Sequence, residues 1–411
     1  MENKVLIVSH TFPPASGVGG RRWAKYSKYL YKNKFTPYIL TTKSNFNDSL
    51  WKEDIKDVKY IFNYRNLFPK IISKTQLNFF DKIIYKAAIV FLKIFTKGNY
   101  FDRVIFDKKE IISKIEYLLK KKAIKNLIVS GAPFNLLYYA ALCKQKNPNI
   151  NFVADLRDPW TWGQNYGITL ISNRRKQFEK FKESLVVSSA DTIFVATGVM
   201  YEYLIKTYPN SANKMKVLPH GFDSESIIPR NTPIELNHNK IRIAYLGELY
   251  DGIGNYFNAI AKSIEGGNSP FFIDFFSKTE RYKEVFNQKL LVGKKVNYYP
   301  LIQSNELFNK IREYDFILIV HPEYAKDYIS TKFYEILYSK TPIIYLSQRG
   351  ITSQFIEETK SGIFVDSDSV DSFFKNNNMV KKFKYEEFQE INKFDLNHLT
   401  QNILLLNLST Q

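Results

Sequence analysis

A chain of 411 residues that is 45% hydrophobic and 24% charged is longer than one core ordinarily supports and too apolar to be disordered, so two packed domains are expected. Its single cysteine, Cys143, excludes an internal disulfide and fits a reducing compartment, where it reads as a small buried hydrophobe. The net charge of +19 raises the question of a nucleic-acid partner, but no helix-turn-helix, aromatic RNA-binding signature or zinc spacing accompanies it, so none is expected. A composition rich in Lys, Asn, Ile, Phe and Tyr, as an A/T-biased genome produces, is a competing source of the charge.

The N-terminus passes from Glu2 and Lys4 directly into Val5-Leu6-Ile7-Val8, which is not the pattern of a signal peptide. Uncharged apolar runs such as Ala87–Leu92 fall far short of the ~20 residues a spanning helix needs. A cytoplasmic protein is expected, either free or peripheral on the inner membrane face.

The run Lys4–Ser9 predicts a buried parallel strand. A loop with Pro13, Pro14, Gly17, Gly19 and Gly20 follows, then a helical pattern through Trp23, Tyr26, Tyr29 and Leu30. Strand, glycine loop and helix together open a Rossmann-like domain. Gly19 and Gly20 would let the backbone approach a phosphate, with Arg21 and Arg22 adding bidentate contacts. The spacing is not G-x-G-x-x-G, and Leu40 to Ser44 lacks the acidic residue that would hold a dinucleotide ribose. That excludes an ordinary dinucleotide dehydrogenase. The competing reading is a tight turn with two solvated arginines.

From Lys56 to Lys125 there are 17 Lys and Arg against 6 Asp and Glu, interleaved with Phe79, Phe80, Tyr85, Phe91 and Phe95. Such a mixture suits an anionic membrane surface, where each cation near the headgroups adds ~1 kcal/mol. Equally, the aromatics could fill a core and the lysines coat it.

Further strands are predicted at Pro37–Thr41, Asn126–Ser130, Phe152–Asp155 and Thr192–Ala196. The run Asp155-Leu156-Arg157-Asp158-Pro159-Trp160-Thr161-Trp162 ends one of them, at the sheet edge where open α/β folds bind ligands. Asp155 or Asp158 could serve as a catalytic carboxylate, and the two Trp could stack on a sugar ring. Alternatively, an Asp–Arg pair holds the loop and the Trp belong to the core.

A linker is expected over 219–240. The run Ile241–Leu246 then repeats the opening pattern, with Gly247, Gly252 and Gly254 before a helix through Tyr256, Ile260 and Ile264. Phe271–Phe275, Asp315–Val320 and Pro342–Leu346 supply more strands. After Val320 comes a segment holding His321, Asp327, Thr331, Lys332 and Glu335. A helix begins near Ser330 or Thr331, either of which could cap it, and runs to Lys340. Its core face would be Phe333, Ile336 and Leu337, leaving Glu335 off that face and Asp327 in the loop above. The competing reading is a solvated helix with incidental charges.

In this order, the Pro-Pro…Gly-x-Gly-Gly loop, His220-Gly221-Phe222-Asp223 and Asp327…Glu335 resemble the retaining GT-B glycosyltransferases of family four, with their E-x7-E motif. The resemblance spans nearly the whole chain and implies an α/β fold of two Rossmann-like domains facing a cleft. Those would be an acceptor-binding domain (1–218), a linker (219–240), a nucleotide-sugar-binding domain (241–390) and a C-terminal helix (391–411) returning to the first domain. It further implies retaining transfer from a nucleotide-diphosphate sugar to a glycan or lipid-linked acceptor in cell-surface polysaccharide synthesis. No bound metal and no cofactor beyond that co-substrate are implied. By position, Glu335 would hold the ribose, and Asp327 stands where the family has a glutamate. Asp155 or Asp158 would lie beside the transferred sugar. Gly247-Glu248-Leu249 matches the family's Gly-Arg-Leu with the charge inverted at Glu248, and Asp251 or Gly252 replaces a lysine. Lys332, Arg157 and Arg21 are the candidate replacements for the diphosphate grip. A nucleotide-sugar epimerase, which shares the architecture, is the rival reading.

Overall fold

In the computed structural model, residues 3–14, 18–43, 51–74, 77–164, 166–232, 235–249, 251–265, 269–302 and 304–409 are described. The loop positions Ala15, Ser16 and Gly17 lie outside them. The chain divides into two compact units, 1–219 with 399–411, and 220–398.

The first unit is built on a seven-stranded sheet of β1 (Asn3–Val8), β2 (Phe35–Thr42), β3 (Tyr60–Tyr64), β4 (Asn126–Gly131), β5 (Asn151–Leu156), β6 (Thr192–Val195) and β7 (Met215–Val217). The order is 3-2-1-4-5-6-7, every pair parallel. Crossovers include α1 (Val18–Lys32), α2 (Phe79–Phe95), α3 (Lys108–Lys121), α4 (Asn135–Lys146), α5 (Asn173–Ser189) and α6 (Gly198–Thr207). Helices on both faces explain why the central strands are continuous apolar runs rather than alternating ones.

The glycines Gly19 and Gly20 lie in the first turn of α1, not in the preceding loop as the sequence suggested. Each is worth about 1 kcal/mol less than alanine in a helix. A Cβ on Gly20 would sit 1.9 Å from the Thr11 carbonyl oxygen, so glycine is what lets the helix pack against the loop. Trp23, Tyr26 and Leu30 on the same helix are fully buried, and burial of such side chains at about 1.5–3 kcal/mol each outweighs the glycine cost.

The tail packs along the opposite, amino-terminal edge of this sheet. Asn126 Nδ2 donates to the Ser409 carbonyl (2.8 Å) and Asn151 Nδ2 to that of Asn407 (2.9 Å).

The second unit has six parallel strands, β8 (Ile241–Leu246), β9 (Phe271–Phe276), β10 (Val296–Tyr299), β11 (Phe316–Val320), β12 (Ile343–Ser347) and β13 (Gly362–Asp366), ordered 10-9-8-11-12-13. Its helices include α7 (Gly254–Ile264), α8 (Lys283–Asn287), α9 (Ser304–Ile311), α10 (Thr331–Tyr338) and α11 (Ile351–Thr359). The seven strands expected between and after the opening runs are present within a residue or two. The sequence did not reveal β3, β7, β10 and β13, all at or next to a sheet edge. There the residues are partly exposed and the apolar signal is broken.

Candidate functional site

Strand order reverses between β1 and β4 in one unit and between β8 and β11 in the other. In open parallel sheets the crevice beyond the strand ends at such a switch point is where ligands bind. This picks out the loops after β1, β4 and β5, and those after β8 and β11.

In the first unit these loops converge on Arg157. Its Nε donates to the Gly131 carbonyl (2.9 Å) and Nη2 to that of Ala132 (2.7 Å), while Nε lies 3.2 Å from Asp158 Oδ2. A Cβ on Gly19 would fall 1.3 Å from Arg157 Nη1, so the guanidinium occupies the space a side chain would need. Asp158 also accepts from the Tyr166 hydroxyl at 2.9 Å. Burial raises its pKa above the usual carboxylate value, against the opposing pull of Arg157. Asp158 is half-buried beside a cation and a phenol, which suits it to receive a hydroxyl.

Asp155 is placed differently. It is wholly buried, with Oδ1 accepting from Arg22 Nη2 (3.3 Å) and Oδ2 from Trp23 Nε1 (2.7 Å) and Ser130 Oγ (2.8 Å). Arg22, itself buried, donates onward to the carbonyls of Leu218 (2.7 Å) and Pro219 (2.9 Å). The pair therefore ties β5, α1 and the chain end of the unit together. Arg21 is committed as well, its Nε 2.8 Å from Asp54 Oδ2 and its head 5.6 Å from the Trp51 ring centre. Neither arginine is the freely solvated group of the competing reading, since each is paired with a carboxylate. Trp160 is buried, stacked on Phe134 at 4.9 Å, and donates to Glu179 Oε2 (3.0 Å). Trp162 is half-buried against Tyr203 at 4.1 Å.

A residue that sequence reasoning passed over is His10, two residues beyond β1. It is buried, with Nδ1 3.2 Å from the Tyr64 hydroxyl. Burial, then the charges of Arg103 and Arg157, lower its pKa to about 3, so it is neutral at pH 7. Its position directly after a buried strand was the available signal.

In the second unit, Lys332 in the first turn of α10 reaches back under the β8 loop. Its Nζ donates to the Leu246 carbonyl at 2.7 Å. Gly247 holds φ +99°, and a Cβ there would meet Nζ at 1.8 Å. The structure thus brings together Gly247 and Lys332, 85 positions apart in the chain. His321, after β11, is buried with Nδ1 3.2 Å from the Tyr345 hydroxyl. Burial first and the Lys332 charge second lower its pKa to about 4.

α10 is fixed by Phe333, Ile336 and Leu337, which are buried as their spacing implied. Phe333 meets Phe355 edge-on at 5.3 Å, and Phe222 stacks on Tyr338 at 4.1 Å. Glu335 was expected off this core face, yet it is only 3% exposed. Ser330 occupies the cap position with extended backbone but makes no side-chain capping bond. Asp327 is half-buried in the turn before α10. It stands beside Gly350, whose Cβ would lie 3.0 Å from Asp327 Oδ1. Glu248 is exposed, and the contact from its position is through its carbonyl, which accepts from the Tyr245 hydroxyl (2.7 Å). Asp251 pairs with Arg281 at 2.6 Å.

Two parallel sheets with switch-point loops of this kind have solved counterparts. A glycosyltransferase from Rickettsia africae aligns over 99% of this chain and 98% of its own, at 14% identity and a TM-score of 0.67. Anabaena HepE, solved with UDP and glucose, aligns over 98% and 99% at 11% identity and 0.62. The chain has the GT-B fold. A UDP-N-acetylglucosamine 2-epimerase shares it, over 99% and 96% at 14% identity and 0.56. The sequence matches no family profile and no curated relative.

Proposed function

We propose that this GT-B chain is a glycosyltransferase that takes a nucleotide-diphosphate sugar in its second unit and a glycan or lipid-linked acceptor in its first. The observation that carries the reading is the Lys332 bond to the Leu246 carbonyl, beside Gly247, at the start of α10. A cation, a glycine backbone and the amino-terminal end of α10 meet there beside the sheet's switch point, a set that suits a diphosphate. It supplies a positive charge where Glu248 removes the one the resemblance leads one to expect. Glu335, one turn on, is the proposed ribose contact, with Thr331 and His321 beside the phosphates and Asp327 toward the donor sugar.

In this reading the chemistry is positioning and electrostatics. Lys332 and the α10 amides stabilise charge as the sugar–phosphate bond breaks, and neutral His321 donates or accepts without adding charge. Asp158 receives or orients the acceptor hydroxyl, held by Arg157 and Tyr166. Asp155 acts as a positioning residue that fixes the β5 loop. Retention of configuration, independence from metal and a role in cell-surface polysaccharide synthesis belong to the same proposal.

The shared fold of UDP-N-acetylglucosamine 2-epimerase keeps one rival in view. Incubation with UDP-sugars and no acceptor decides between them. Slow hydrolysis to free sugar and UDP is expected here. Accumulation of an epimer without acceptor would establish the rival, and EDTA treatment that abolishes transfer would remove metal independence.

A further inference from the structure

The helix α2 is built differently from the others in its unit. Among its 17 residues only Leu92 is buried. Phe79 and Phe80 are each 73% exposed, Ile94 and Phe95 are 69% and 67% exposed, and Ile84 and Val90 between them 54% and 55%. At about 100° per residue these six project within an arc of roughly 160°. Lys82, Lys86 and Lys93 lie within about 40° of one another along one border of that arc. Ile89 and Leu92 face the other way and pack in one cluster with Phe68 and Tyr100.

The helix is firmly formed. Asn78 and Asp81 make a reciprocal capping box, and Arg175 Nη1 donates to Thr96 Oγ1 (3.2 Å) and the Gly98 carbonyl (2.8 Å) just past its end. A preformed helix that presents a continuous apolar face to solvent marks an interaction surface.

We propose that α2 is an interfacial helix that lies in the headgroup region of an anionic bilayer. Its outward arc would sit among the acyl chains, with Lys82, Lys86 and Lys93 on lipid phosphates. Charge decides for lipid over a second copy of the chain. The one acid on the helix, Asp81, is already paired with Lys74, so the exposed face offers nothing acidic to answer the lysines of a partner copy. The segment 56–125 around it carries 17 basic residues against 6 acidic ones. α2 lies outside both units' switch-point loops, so its membrane contact is independent of the proposed reaction. If both hold, the acceptor is one presented at a membrane surface.

The test is flotation of the full chain with vesicles of equal parts phosphatidylglycerol and phosphatidylcholine, against phosphatidylcholine alone. Binding to the anionic vesicles at low salt is expected. A Lys82→Gln, Lys86→Gln, Lys93→Gln triple variant should bind roughly 100-fold more weakly. An Ile84→Glu, Val90→Glu double variant should lose binding while its melting curve is unchanged, since both positions face solvent. As a second readout, Val90→Cys labelled with an environment-sensitive dye should shift to the blue on anionic vesicles, the native Cys143 being buried. No binding of the wild-type chain to anionic vesicles, or equal binding by the double variant, would overturn the proposal. So would a solution dimer that the double variant dissolves while neither chain binds vesicles.

Discussion

The Lys332 ammonium lies 2.7 Å from the Leu246 carbonyl oxygen, in the space that a side chain at position 247 would fill. The end of β8 and the first turn of α10 are thereby joined at one point. Replacing Gly247 by alanine adds a methyl 1.8 Å from Nζ and places a non-glycine residue at φ +99°. The strain is worth about 1–3 kcal/mol, and Lys332 must leave its seat. Lower thermal stability together with at least a tenfold rise in KM for the sugar donor (~1.4 kcal/mol) is expected. An unchanged KM would detach Gly247 from the donor site.

Lys332→Ala removes the proposed counter-charge to the leaving diphosphate. Its kcat should drop ~100-fold or more, the usual scale for losing a donor that stabilises the transition state. Glu335→Ala should lose comparable activity through the ribose. Steady-state transfer assays check both, and full activity in the two variants would remove this assignment.

Arg22 and Asp155 predict stability rather than rate. Both are buried, and truncating one strands the other's charge, at a cost of about 3–5 kcal/mol. Asp155→Ala should therefore lower the melting temperature by roughly 10 °C in a unit of this size. A variant that melts like the wild type but has lost activity would instead return Asp155 to the catalytic role its place in the sequence suggested.

The motifs were legible because each follows a buried strand, and buried parallel strands are continuous apolar runs. What the sequence could not show is which charges are already taken. Arg21, Arg22 and Asp155 look as available in the sequence as Arg157 and Asp158. Only the fold reveals Asp54 beneath Arg21 and Asp155 beneath Arg22. Helical spacing turns Glu335 outward because it gives a side chain's direction on its own helix but not what covers it. His10 was missed because a lone histidine beyond a strand gains meaning only from Tyr64, Arg103 and Arg157, which come from distant segments.

The pH dependence of stability follows from His321. Its pKa falls from 6.5 to about 4 in the folded chain, so folding favours the neutral ring. That contribution is complete above about pH 6.5 and is lost as the pH falls toward about 4, because the unfolded chain takes up the proton first. The shift corresponds to roughly 3 kcal/mol. Melting temperature should decline across this window. His321→Gln should decline less, with His10, lowered to about 3, supplying part of what remains. An undiminished slope in the variant would acquit His321.

The most direct test of the account is thermal denaturation of the full chain against a panel of nucleoside diphosphates and their sugars, run in parallel on Lys332→Ala. At about 100 times its dissociation constant, the right ligand stabilises by ~2.7 kcal/mol. A clear upward shift with at least one nucleotide-diphosphate sugar is expected, largely abolished in Lys332→Ala. No shift with any member of the panel, or an equal shift in the variant, would contradict it.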